Sequence, residues 1–79
     1  MEHRFTDTTD ATIAGAWWTP NATAPELAWM FDAARRVLIV TSKAGTTTER
    51  RIVAKKPIGE EAGRKFLPTL ALYIGRQLT

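Results

Sequence analysis

The sequence predicts one small α+β domain: an antiparallel meander of about three to four strands packed against a C-terminal helix kinked near Pro68. Three observations carry this expectation. The run Val37-Leu38-Ile39-Val40-Thr41 is β-branched and apolar on both alternating faces, as a strand buried in mid-sheet must be. From Leu67 onward, Leu67, Leu70, Ala71, Ile74 and Leu78 cover an arc of about 100°, the face with which a helix packs on a sheet. Between the two, Pro57 and Gly59 punctuate the chain. The 79 residues form a single domain whose thin core buries only about 60–65% of the surface exposed by the unfolded chain. With 44% hydrophobic and 24% charged residues the chain lies outside the regime that prevents folding.

Taken in order, residues 1–10 carry scattered charge and no apolar run, and a mobile arm is expected there. Residues 11–18 contain Ile13, Trp17 and Trp18 after a polar opening, which fits a first strand or an irregular arm. Residues 23–36 admit two readings. Thr23-Ala24-Pro25-Glu26 has the form of a capping box, and Leu27, Met30, Phe31 and Ala34 then share one helical face. Alternatively, Asp32-Ala33-Ala34-Arg35 is a type I turn, with Asp at its first position, joining two strands. The hairpin is favoured because a helix leaves little room for a loop before Val37. Lys43-Ala44-Gly45 turns the chain into a partner strand over residues 46–55, with Ile52 and Ala54 on one face and Glu49, Arg51, Val53 and Lys55 on the other. Glu60 and Glu61 complement the dipole in the first turn of the final helix, where Leu72 falls in a mostly polar stripe.

The net charge of +3 conceals a division. Up to Ala34, one cation stands against five carboxylates and gives −4; from Arg35 onward, ten cations stand against three carboxylates and give +7. A basic surface suited to phosphates or to an acidic protein is expected in the second part. No Cys is present, which removes disulfides and thiolate metal sites as sources of stability and leaves oligomerisation, so a homodimer or a docked partner is a natural expectation. Without an apolar leader or a run of roughly 20 apolar residues, the chain reads as cytoplasmic and not membrane-bound. The Asn21-Ala22-Thr23 sequon is then a chance match.

Enzyme templates find no support. One His, at position 3, and one Ser, Ser42, do not make a nucleophilic triad. The carboxylates have no metal-ligand spacing, and the five glycines form neither a phosphate loop nor a dinucleotide fingerprint, so neither metal nor cofactor is expected. Basic residues cluster instead: Arg35, Arg36, Lys43, Arg50, Arg51, Lys55 and Lys56 belong to one hairpin or its connections. Antiparallel pairing would gather several of them, and Trp17 and Trp18 would add interface anchors or stacking platforms; Trp29 could serve likewise. The same residue types also serve a core and a protected sheet edge.

Strands followed by a long C-terminal helix over residues 28–78, with basic hairpins, resemble in topology the small single-stranded-DNA-binding domains of the transcriptional-coactivator type. The resemblance implies a dimer that binds unpaired strands, and it carries no residue across. Small cysteine-free domains of mixed fold are also similar in size and class to phage and mobile-element products that dock on host machinery, anti-CRISPR inhibitors among them. The first functional expectation is accordingly a non-catalytic protein docking on a larger protein or nucleoprotein through the basic hairpin face, as an inhibitor or accessory factor. The second is a low-specificity single-stranded nucleic-acid-binding domain acting as a dimer.

Overall fold

The computed structural model describes residues 1–9, 12–53 and 58–78. Five antiparallel strands, β1 (Glu2–Thr8), β2 (Thr12–Trp18), β3 (Leu27–Asp32), β4 (Val37–Ser42) and β5 (Thr47–Arg51), lie in the sheet in the order in which they occur in the chain. A single helix, α1 (Glu60–Arg76), crosses one face and packs on the middle three strands. The α+β meander is as expected, with one strand more.

The extra strand is β1. Within the region where a mobile arm is expected, Glu2–Thr8 form an edge strand, because His3 and Phe5 alternate with Glu2 and Arg4 and can therefore put rings on the helix side and charges on the other. A bulge between Phe5 and Asp7 interrupts its pairing with β2, and a charged, bulged strand is a poor template for further pairing. Residues 23–36 resolve to the hairpin. Asp32 Oδ1 accepts from the backbone N–H of Ala34 (3.0 Å) and of Arg35 (3.1 Å), so one carboxylate organises the β3–β4 turn. β5 stops at Arg51 rather than Lys55, although Ile52 still packs against the core. The helix starts after Gly59 as expected and runs through Pro68 as one element.

Sheet register sorts the side chains. On the helix side, Ile13, Phe31 and Leu38 stand abreast, as do Gly15, Trp29 and Val40. Phe31, Leu38, Val40 and Leu67 are fully buried, and Leu27, Trp29, Ala71 and Ile74 complete the core. Buried Gly63 and Gly75 let the helix backbone lie directly on Ile13 and Leu27, which occupy the space a side chain there would take. Leu72, expected in a polar stripe, is half-buried against the core margin, because the helix crosses the sheet on a wider contact than the apolar arc alone defines. Trp17 ties sheet to helix by donating its Nε1–H to the Pro68 carbonyl (2.8 Å).

His3 is fastened into this arrangement. Trp29 Nε1–H donates to His3 Nε2 (3.0 Å), and the imidazole stacks on Trp29 with Phe5 edge-on to it. An accepting Nε2 requires the neutral ring, and desolvation lowers the His3 pKa below its ordinary 6.5. With the folded pKa lowered, the unfolded chain binds more protons between the two values, so stability should fall as pH drops below about 6.5 and be fully present above it. Urea midpoints at about pH 8 and about pH 5.5 should differ more for the wild type than for His3→Gln; equal differences would remove His3 from the acid response.

Candidate functional site

The seven basic residues expected to form one face do not all meet. β5 alternates, so Arg51 falls in register with Val37 on the face away from the helix, whereas Arg50 stands beside Leu38 on the helix side and donates to Gln77 Oε1 (3.3 Å). Lys43 lies in the β4–β5 turn at the opposite end of the sheet, where its ammonium pairs with Glu26 (3.6 Å). Lys55 and Lys56 fall outside the described residues. Arg35 and Arg36, in the β3–β4 turn, meet Arg51 at one end of the sheet. With Ala34, Ile52 and Val53 they line a groove of about 340 Å³.

Two features of that groove need local explanation. Arg36 has a φ of 56°, in the left-handed region that costs a non-glycine residue roughly 1–2 kcal/mol, and its carbonyl accepts from the Ile52 N–H (2.8 Å). Glycine would serve that backbone at lower cost, so turn geometry does not account for the guanidinium there. The second feature is electrostatic. Arg4, Lys43, Arg64 and Lys65 pair with Glu2, Glu26, Glu60 and Glu61 respectively, whereas Arg35, Arg36 and Arg51 have no ion-pair partner among the described residues. Three exposed guanidiniums thus converge on a groove without an ion pair among the described residues, since the Asp32 carboxylate nearby is engaged by the Ala34 and Arg35 amides, and each can bind a carboxylate or phosphate in a bidentate fork.

The tryptophans are elsewhere. Trp29 is 3% exposed, and Trp17 packs against the core through its hydrogen bond to the helix. Trp18 lies on the open face of the sheet, in register with Glu2, with the Arg4 guanidinium 5.9 Å over its ring and its own Nε1 buried without a partner. Register places Trp18 at the end of β2 remote from Thr12, and it is the Thr12 end that lies abreast of Asp32, Val37 and Arg51. Stacking platforms and the arginine groove are therefore at opposite ends. A thin core claims large aromatics first, a competition that composition alone does not resolve.

No family model, curated protein or solved structure matches this chain. The likeness to coactivator-type domains stays one of element order. A second cleft, of about 280 Å³, opens at the Lys43 end, with Leu27, Leu72 and Leu78 in its walls and the Glu26–Lys43 pair at its rim. No helix among the described residues is long and apolar enough to cross a membrane.

What sequence reasoning missed is the open sheet face. Ala14, Ala28, Met30, Val37 and Ile39 lie there, with Met30 41% exposed, and no element among the described residues covers them. The alternation in Leu27-Ala28-Trp29-Met30-Phe31 is apolar in both phases, which was the available signal for a sheet whose two faces are both apolar.

Proposed function

We propose that this chain is a docking protein that binds an acidic surface of a larger protein or nucleoprotein through the groove of Arg35, Arg36 and Arg51, acting as an inhibitor or accessory factor. The observation that carries the reading is the contrast in pairing: Arg4, Lys43, Arg64 and Lys65 each form an ion pair, and among the described residues these three form none. Side chains held exposed and unneutralised at one end of a rigid hairpin keep their charge for an external anion, and Arg is enriched where interfaces concentrate binding energy. The left-handed Arg36 supports the reading, since a guanidinium is kept where glycine would be cheaper. A single-stranded nucleic acid is the less favoured partner because the groove has no aromatic side chain in its lining on which bases could stack.

The test uses two labelled probes in anisotropy titrations: a peptide of about a dozen Asp and Glu residues, and a single-stranded oligonucleotide, each at about 50 mM and about 200 mM salt. The acidic peptide should bind the wild type with marked salt dependence and lose about tenfold or more in affinity to an Arg35→Ala, Arg36→Ala, Arg51→Ala variant, while Lys65→Ala behaves as wild type. Undiminished binding by the triple variant would overturn the groove. Tighter binding of the oligonucleotide than of the peptide, lost in the same variant, would turn the assignment to nucleic acid.

A further inference from the structure

We infer that the open face of the sheet is a self-association surface, and that two copies pack face to face about a two-fold axis parallel to the strands and running over β3. The inference does not rest on the proposed function, although the two share Arg51.

The face has the composition of a buried layer. Across β2, β3 and β4 its rows read Ala16-Ala28-Thr41 and Ala14-Met30-Ile39, with no charge, and a shallow cavity of about 180 Å³ opens between Ala28, Met30, Ile39 and Thr41. Charge is otherwise confined to the edge strands, Glu2, Arg4 and Asp7 on β1 and Glu49 and Arg51 on β5; on β3 itself it is limited to Asp32 at the strand's end, near the axis, where the carboxylate accepts from the Ala34 and Arg35 N–H groups. An uncharged centre bounded by charges of both signs is the pattern of an interface rather than of a solvated sheet face.

The occupant follows from the margins. An axis along β3 lays β1 of one copy over β5 of the other, twice. Arg4 shares a row with Thr47, and Asp7 shares the next row with Glu49. Packed sheets rotate by about 30° relative to each other, which displaces strands two places from the axis by about 5 Å, close to one row. A one-row offset sets Arg4 against the copy's Glu49 and Asp7 against its Arg51, on both sides at once. One carboxylate against three guanidiniums leaves the groove cationic. The four intervals of about 4.8 Å between five strands and the three intervals of about 6.7 Å between four rows enclose ~400 Å² of flat area per copy, measured between backbone positions. Two such faces, with side-chain relief added, pass the roughly 1,000 Å² that a specific interface needs. Met30, near the axis, meets its own counterpart, and its flexible side chain can fill the shallow cavity.

Sedimentation equilibrium of the full chain from about 1 to about 500 μM, with circular dichroism to confirm folding, tests the arrangement. The wild type should dimerise. Met30→Lys should weaken association at least about 100-fold by placing two unpaired cations on the axis. Arg4→Glu should weaken it about tenfold, and adding Glu49→Arg should restore it; Arg4 and Glu49 lie on opposite edge strands of one copy, so restoration reports a contact between copies. A wild type that stays monomeric throughout would overturn the inference, as would dimerisation indifferent to Met30→Lys. Failure of the charge exchange to restore association would overturn the axis and the offset.

Discussion

Replacing Phe31 with alanine should destabilise the domain by about 3–5 kcal/mol, while Met30→Ala, one residue away, should stay within about 0.5 kcal/mol in the monomer. Phe31 has no exposed surface. It stands abreast of Ile13 and Leu38, beneath the helix, so truncation removes the centre of the core and leaves a cavity that neither strand can close without losing register. Met30 points the other way and touches no helix residue's layer. A chain of this length has a total stability of roughly 4–12 kcal/mol, so the first substitution removes much of it. Urea unfolding read by tryptophan fluorescence would check both. Comparable losses at the two positions would mean that the open face contributes to the monomer's stability.

Gly15→Ala should cost about 2–3 kcal/mol, far more than the sheet propensities of the two residues would suggest. A methyl group there would lie 2.6 Å from His3 Nε2 and 2.9 Å from two atoms of the Trp29 indole, well inside van der Waals contact. The rings cannot retreat independently, because each is the other's hydrogen-bond partner and Trp29 is 3% exposed. The substitution therefore either breaks that bond or lifts β1 from the sheet. A double-mutant cycle with His3→Ala separates the two contributions: His3→Ala should recover part of the loss, giving a coupling of about 1 kcal/mol between the positions. Strict additivity would show that the indole alone obstructs the methyl group.

These residues also show where the sequence was readable. The hairpin of β3 and β4 could be found because a turn has its own chemistry: Asp32 accepts from the turn it begins, whatever surrounds it. The helix was readable through its period, and what the period leaves out is the tertiary packing at Pro68, where the Trp17 indole bonds to its carbonyl. β1 escaped notice because its burial depends on a space left by a residue twelve positions after His3, namely Gly15. For the candidate site, alternation correctly separated Arg51 from Ile52, and the turn supplied Arg35 and Arg36. Which cations would be neutralised was not readable, since the Glu26–Lys43 pair joins two loops that only the finished sheet brings together.

The order of the strands bears on how the molecule comes into being. Each strand's neighbour in the sheet is its neighbour in the chain, so pairing can proceed hairpin by hairpin as synthesis advances, with short loops to close at each step. The layer over the core comes last: Trp17 must wait for Pro68, 51 residues later. Until then Phe31, Leu38 and Val40 have no cover, and the growing chain displays two apolar faces instead of one. The interval between the emergence of β5 and the docking of α1 is thus the period in which this protein is most prone to adhere to others, and a chain interrupted before Glu60 would remain in that state.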